Sequence, residues 1–137
     1  MEQKCLKLHS SFWGPGQWDS IISVAMTFPD GASAGLKTKT KIWLQNMRMG
    51  CLGCETKYGE ALLKFPITDD VVMNRQNLLT WVVNLRNYER ANRGVPALAF
   101  SDVCDYYNAK HGKAPLYAKN DCPSCEAIRM AIPPYKP

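Results

Sequence analysis

The sequence has little histidine, no long apolar run and no stretch of low complexity. Two histidines, His9 and His111, occur in 137 residues, which leaves few imidazole ligands for a metal ion. No run approaches the roughly 18 consecutive apolar residues of a membrane helix, so we expect no membrane partner. The N-terminal stretch MEQKCLKLHSS contains charges but no apolar h-region, so we expect no secretory signal.

The charge of the chain is mildly basic, with a net value of +5 and a pI near 8.9. This excess is too small to indicate nucleic acid as a partner, and it fits equally an anionic cofactor or an acidic partner. The composition, 46% hydrophobic and 21% charged, is ordinary for a globular protein with one core.

Strand-like alternation and internal repeats are also absent, and the periodic segments predict helices. The first helix is predicted from Trp18 to Phe28, after the turn residues WGPGQ and before PDG at 29–31. The second is predicted from about Ser33 to Met49, with a stripe at Leu36, Trp43, Leu44 and Met47. Gly50 is predicted to end it.

Three further helices are predicted along the chain. The third, LGCETKYGEALLKF, begins in or just after the turn at Cys51 and ends before Pro66. The fourth and longest is predicted to be capped by TDD at 68–70 and to reach about Arg93, before Gly94 and Pro96. Its apolar positions are Val71, Leu78, Leu79, Val82 and Leu85. A shorter fifth helix is predicted around residues 101–109.

These elements predict an all-α fold, a four-helix bundle plus a short fifth helix, with an irregular C-terminal tail. We assign the bundle domain to residues 1–110 and the tail, which is rich in Pro, Lys and Asn, to residues 111–137. Trp18, Trp43 and Trp81 lie on apolar faces, and periodicity alone predicts that each belongs to the core.

Four of the six cysteines form two C-x-x-C pairs, Cys51 with Cys54 and Cys122 with Cys125. Such pairs indicate metal or redox chemistry more than a scattered disulfide framework. A four-thiolate zinc site is one interpretation. The 67 residues between the pairs disfavour it, because zinc ribbons space their pairs roughly 15–20 residues apart.

Redox exchange is the interpretation we favour for these pairs, with a purely structural pair as the remaining alternative. At the start of a helix, free amides and the helix dipole stabilise a thiolate and speed its exchange with another disulfide. The CPSC sequence in the irregular tail is interpreted as a shuttle that carries electrons to a fixed partner, Cys51 and Cys54.

Three long segments share a family's order and spacing of motifs. FWGPGQWDSIISVAMTFP has a Gly-x-x-x-Trp entry, a helix and an aromatic-Pro exit, and KIWLQNMRMGCLGCETKYGEALLKF leads from one helix into C-x-x-C at the start of the next. NRQNLLTWVVNLRNYERANRGVP contains Arg-x5-Trp-x5-Asn and then Gly-x-Pro. The residues at these positions are Gly14, Trp18, Phe28, Pro29, Arg75, Trp81, Asn87, Gly94 and Pro96. Over roughly residues 12–107 the chain resembles the Erv/ALR family of FAD-dependent sulfhydryl oxidases, in the style of its virus-encoded members.

The resemblance implies a FAD-dependent thiol oxidase that forms disulfides in protein substrates. A substrate dithiol would reduce the Cys122–Cys125 pair or attack Cys51 directly. Electrons would pass through Cys54, which the family places beside the flavin, to oxygen, giving hydrogen peroxide. A homodimer is implied, since family members commonly pack through their first helices.

The resemblance also implies which residues bind the cofactor: Gly14, Trp18, Arg86, Asn87 and Arg90. Independently of it, Arg86 and Arg90 lie one helical turn apart, which suits a diphosphate. A solvated helix end is the alternative for these two arginines. Asn87, inside a helix, is expected to need a hydrogen-bond partner.

The chain departs from the family at two histidine positions. Typical members carry histidines, which help to hold the flavin, where this chain has Ile22 and Arg86. The family's structural cysteine is Val83 here, so Cys104 lacks its usual mate, and the roles of Cys5 and Cys104 stay open. A flavin-less structural or virion protein with stabilising disulfides is therefore an alternative function, and a zinc-stabilised helical binding module is a second.

Overall fold

A computed structural model describes residues 10–48 and 52–111, with side chains described for 16–48 and 54–109. Every regular element in these ranges is a helix, which confirms the predicted all-α fold. The helices are α1 (Ser10–Thr27), α2 (Ala34–Gln45), α3 (Leu52–Lys64), α4 (Arg75–Asn92) and α5 (Phe100–His111). The chain divides into two compact units, Met1–Ala97 with α1–α4 and Leu98–Pro137 with α5.

The core of the first unit lies where α1 packs against α4. Both helices contribute apolar side chains that are at most 8% exposed: Ile21, Ile22, Ala25 and Met26 from α1, and Leu78, Leu79, Trp81, Val82, Val83 and Leu85 from α4. Burying such side chains is the dominant favourable contribution to folding.

Arg75 joins the end of α1 to the start of α4. Its Nε donates a hydrogen bond to the carbonyl oxygen of Phe28 at 2.9 Å, and its backbone N–H donates to the Asp30 carboxylate at 3.0 Å. One of the free amides at the start of α4 and a carbonyl just after α1 are thereby satisfied. Because Trp18 meets Arg86 further along, the two helices run antiparallel.

Side-chain contacts, polar and aromatic, tie α2 and α3 to α4 and to the segment that precedes it. Lys41 of α2 forms an ion pair with Asp69 at 2.8 Å, and this hydrogen bond and charge lower the pKa of the Asp69 carboxyl. The indole Nε1 of Trp81 donates to the carbonyl oxygen of Phe65, just after α3, at 3.0 Å. The Phe65 ring meets Tyr88 edge to face, with centroids 5.7 Å apart.

The starts predicted for α1 and α4 are wrong, and so is the end predicted for α2. The α1 helix begins at Ser10 and continues through WGPGQ, so the turn propensity of these residues is overridden by their context. The α2 helix begins after its N-cap Ser33, close to its predicted start, but ends at Gln45 instead of Met49.

The α4 helix begins five residues after the predicted TDD cap. Asn74 is its N-cap, and its side chain accepts a hydrogen bond from the Asn77 N–H at 2.8 Å. The two aspartates of TDD make other contacts. The Asp69 carboxylate pairs with Lys41, and the Asp70 backbone carbonyl accepts a hydrogen bond from the Asn77 side chain. The predicted helical stripe therefore wrongly includes Val71.

The α4 helix ends where Gly94 and Pro96 predict it. Gly94 has a φ of 69°, the left-handed conformation that glycine adopts most readily. Its N–H donates to the carbonyl of Ala91 at 3.0 Å, and the Val95 N–H donates to that of Arg90 at 2.9 Å. The bounds of α3 agree with the prediction within one residue.

The apolar stripe predicted for α2 is only partly buried. Leu44 is 1% exposed, but Leu36 and Trp43 are each 39% exposed, so the core position predicted for Trp43 is wrong. Trp81 is buried as predicted. Among the helices at 10–48 and 52–111, none has the length and apolar character that a membrane crossing requires.

We expect Asn74→Ala to lower the free energy of unfolding by about 1 kcal/mol, because it removes the N-cap acceptor. The matched control is Thr68→Ala, at the start of the predicted but unused cap, which should change stability by less than about 0.5 kcal/mol. Urea unfolding of both variants measures this. A larger loss for Thr68→Ala would contradict the assignment of Asn74 as the cap.

Candidate functional site

Cys54 lies in the first turn of α3, as the third residue of that helix. Its side chain is half-buried, and its sulfur is disulfide-bonded. The first turn lies at the positive end of the helix dipole, which favours a thiolate. Cys51, Cys122 and Cys125 lie outside the described residues, so the predicted pairing of Cys51 with Cys54 stays a prediction.

Two side-chain contacts join the chain before the C-x-x-C pair to the helix after it. The Arg48 Nε donates to the Glu55 carboxylate at 2.8 Å. The Tyr58 hydroxyl donates to the carbonyl oxygen of Leu44, near the end of α2. Burial raises the pKa of Tyr58 to about 12, so this hydroxyl stays protonated over the whole range in which thiols are assayed.

Trp18 and Arg86, both predicted to bind the cofactor, lie together in the structure. The Arg86 guanidinium carbon stands 4.8 Å from the centroid of the Trp18 ring, a cation–π contact between α1 and α4. Trp18 is half-buried, so its ring is neither wholly in the core nor wholly exposed.

Arg86 also begins a chain of ion pairs along α4. Its guanidinium contacts the Glu89 carboxylate at 2.8 Å, and the same carboxylate accepts from Arg93. Arg90, one turn after Arg86, uses its Nε to bond the carbonyl of Pro96 at 2.7 Å. Three arginines and one glutamate therefore give the last two turns of α4 and its C-cap, Arg93, a net charge of +2.

The other predicted cofactor residues occupy different surroundings. Asn87 is half-buried on α4, and Gly14 lies within the helical backbone of α1. Ile22, where typical family members have histidine, is 3% exposed and belongs to the apolar core. It therefore supplies no hydrogen bond to a cofactor.

Sequence reasoning missed Glu89 and Tyr58, although both carry a signal. Glu89 lies three residues after Arg86 and four before Arg93, which is the spacing of ion pairs along a helix. Tyr58 lies four residues after Cys54, on the same face of α3.

Cys104, on α5, is a free cysteine that is fully buried. Burial, and then the negative charge of Asp105, raise the pKa of its thiol. A protonated and inaccessible thiol is a poor nucleophile, so Cys104 is unsuited to thiol–disulfide exchange in the folded protein.

The described residues offer no metal-binding cluster, and the groove beside Lys41 is not lined by the predicted site residues. In the described part of the chain, no group of three or more His, Cys, Asp or Glu is placed to hold a metal ion. A groove of about 250 Å³ lies beside the pair of Lys41 and Asp69, and none of the predicted site residues lines it.

The chain is similar to a protein of Acanthamoeba polyphaga mimivirus named probable FAD-linked sulfhydryl oxidase, with 25% identity over 95 residues. The match covers 68% of this chain and 66% of that protein, so the chain spans just under two thirds of its relative's length. No family model matches the chain. At this distance the likeness supports the resemblance to FAD-linked sulfhydryl oxidases at a general level.

We expect Cys104 to be alkylated at least about tenfold more slowly in the folded than in the unfolded chain, because labelling must wait for local opening. Mass-spectrometric mapping after iodoacetamide treatment with and without urea measures this. Cys54, half-buried, is the comparison after reduction and should react faster in the folded chain. Equal labelling of Cys104 in both states would contradict its burial.

Proposed function

We propose that this chain is a FAD-dependent thiol oxidase that forms disulfides in protein substrates. The carrying observation is the disulfide-bonded Cys54 in the first turn of α3, within a C-x-x-C sequence. The likeness to a protein named as a FAD-linked sulfhydryl oxidase supports the same general chemistry.

The cysteines of the pair would accept two electrons from a substrate dithiol. One substrate thiolate attacks the Cys51 sulfur, and the Cys51–Cys54 bond breaks to release Cys54 as a thiolate. The second substrate thiol then attacks the mixed disulfide, giving a substrate disulfide and a reduced pair. The start of α3 assists because the positive end of its helix dipole stabilises the departing Cys54 thiolate.

The residues around Trp18 fit a flavin dinucleotide in chemical type. An aromatic ring, a guanidinium over it and a second arginine one turn away provide a flat apolar surface and positive charge for a diphosphate. Trp18, Arg86, Asn87 and Arg90 would hold the group, and the backbone at Gly14 would approach it. When bound, FAD supplies a two-electron acceptor that is reoxidised by oxygen to give hydrogen peroxide.

The tail pair and the oligomer complete the proposal. Cys122 and Cys125 would act as a shuttle that takes electrons from the substrate and presents a thiolate to Cys51. A homodimer packed through the first helices would be the working form. Both assignments follow from the resemblance.

A second candidate function is a flavin-less structural protein with stabilising disulfides. The burial of Ile22 favours it, because one of the two usual flavin-holding histidines is replaced by a core side chain. The ion pair of Arg86 with Glu89 also satisfies that arginine without a cofactor.

We expect the purified protein to absorb in the oxidised-flavin band and to consume oxygen with a dithiol. Cys54→Ser should abolish this oxygen consumption, because the pair can no longer form. The control is Cys104→Ala, which removes a buried thiol outside the pair and should retain activity.

Each other outcome of that measurement has a definite meaning. Full activity in Cys54→Ser would overturn the proposed mechanism. A colourless protein that releases zinc on thiol modification would support the zinc-stabilised binding module, and neither colour nor metal would support the structural protein.

We expect Arg86→Met to weaken FAD binding by about tenfold, because it removes a charge-assisted contact to the diphosphate. Arg93→Met is the matched control, since Arg93 shares Glu89 with Arg86 but caps the end of α4. Quenching of flavin fluorescence on titration with apoprotein measures the affinity without any turnover. Equal losses in the two variants would show that Arg86 contributes only general positive charge.

A further inference from the structure

A hydrogen bond closes the segment that contains the C-x-x-C pair. Leu44 is the penultimate residue of α2, and its carbonyl is one of the last four, which lack a partner within the helix. The Tyr58 hydroxyl of α3 donates to that carbonyl. The end of α2 is therefore capped by a side chain of the following helix, across a segment that includes both Cys51 and Cys54.

The same tyrosine is tied to the position of Cys54. Residues four apart on a helix lie on one face, so Cys54 and Tyr58 present their side chains from the same side of α3. A hydrogen bond that fixes Tyr58 against the end of α2 restrains both the rotation of α3 and its distance from the preceding chain. The half-buried Cys54 side chain is restrained with it.

We propose that Tyr58 is a positioning residue of the C-x-x-C pair, and that its bond to Leu44 stabilises the disulfide form over the dithiol form. The inference rests on the pairing of Cys51 with Cys54 in the proposed function, but not on the flavin. Disulfide formation requires the two sulfurs to meet, and a chain held at both ends loses less freedom when they do.

This stabilisation is reciprocal, because two linked equilibria share one coupling free energy. The structure contains the Tyr58 bond together with a disulfide-bonded Cys54, so the two are compatible. If the bond favours the disulfide, reduction of the pair must also weaken the bond. With its pKa raised to about 12 by burial, the Tyr58 hydroxyl can donate throughout the pH range of thiol exchange.

The measurement is the equilibrium of the pair with glutathione in the full-length protein. Two glutathione molecules supply two electrons and two protons, giving the protein dithiol and one glutathione disulfide. Acid quenching, alkylation and mass-spectrometric mapping of the peptide with Cys51 and Cys54 report this pair separately from Cys122 and Cys125.

We expect Tyr58→Phe, which keeps the ring and removes the hydroxyl, to shift this equilibrium toward the dithiol by about 3- to 10-fold. A tenfold shift corresponds to about 30 mV for a two-electron couple. Tyr88→Phe is the control, because Tyr88 is also half-buried but contacts Phe65 and Lys64. It should leave the equilibrium within about twofold of wild type.

Urea unfolding of the oxidised and reduced forms gives a second measurement. Wild type should lose more stability on reduction than Tyr58→Phe does. Equal losses, with an unchanged glutathione equilibrium, would show that Tyr58 is merely structural and would overturn the inference. A shift toward the disulfide in Tyr58→Phe, or mapping of Cys54 to a mate other than Cys51, would also overturn it.

The glutathione measurement can succeed or fail independently of the test of the proposed oxidase. A protein that binds no flavin but shows the Tyr58→Phe shift would refute the oxidase and keep the inference. An active oxidase without the shift would support the proposed function and overturn the inference.

Discussion

The antiparallel packing of α1 against α4 is the constraint on which the rest of the first unit depends. About two thirds of its buried apolar side chains come from these two helices. Two cross-contacts fix their register, one between Arg75 and Phe28 and one between Trp18 and Arg86. Any cofactor position next to Trp18 is therefore set by the packing of the core. The α2 and α3 helices add Leu44 and Ala61 to the buried residues.

The helices could be predicted where their ends have one strong signal, and were misplaced where several signals compete. The end of α4 was predictable because Gly94 and Pro96 are both strong helix-ending residues. At the start of α4, Thr68, Asp69 and Asn74 are all good N-cap types, and Asp69 is bound instead to Lys41, 28 residues earlier. Local sequence cannot show such a long-range contact.

The candidate site was predictable to a different degree in each of its parts. The spacing of the cysteines predicts that Cys54 pairs with Cys51 at the start of a helix, and the structure places a disulfide-bonded Cys54 in the first turn of α3. Trp18 and Arg86 could be assigned to one cofactor site only through the resemblance, since 67 residues of chain lie between them, and their direct contact was not predicted. The contact of Tyr58 with Leu44 depends on how two helices turn about their axes, which no periodicity in the sequence specifies.

The two hydrogen bonds of Arg75 also determine how the chain between α1 and α4 is attached. Arg75 binds residues 28 and 30, which lie 45 or more positions earlier, so the chain between Asp30 and Arg75 forms a closed loop. Within this loop, Phe65 is held a second time by Trp81 of α4. The entropy of closing such a loop grows only slowly with its length, by about 0.6 kcal/mol for each doubling. Changes of length in the exposed connections of this loop therefore need not disturb the packing of α1 against α4, provided that the bond of Trp81 to Phe65 is kept.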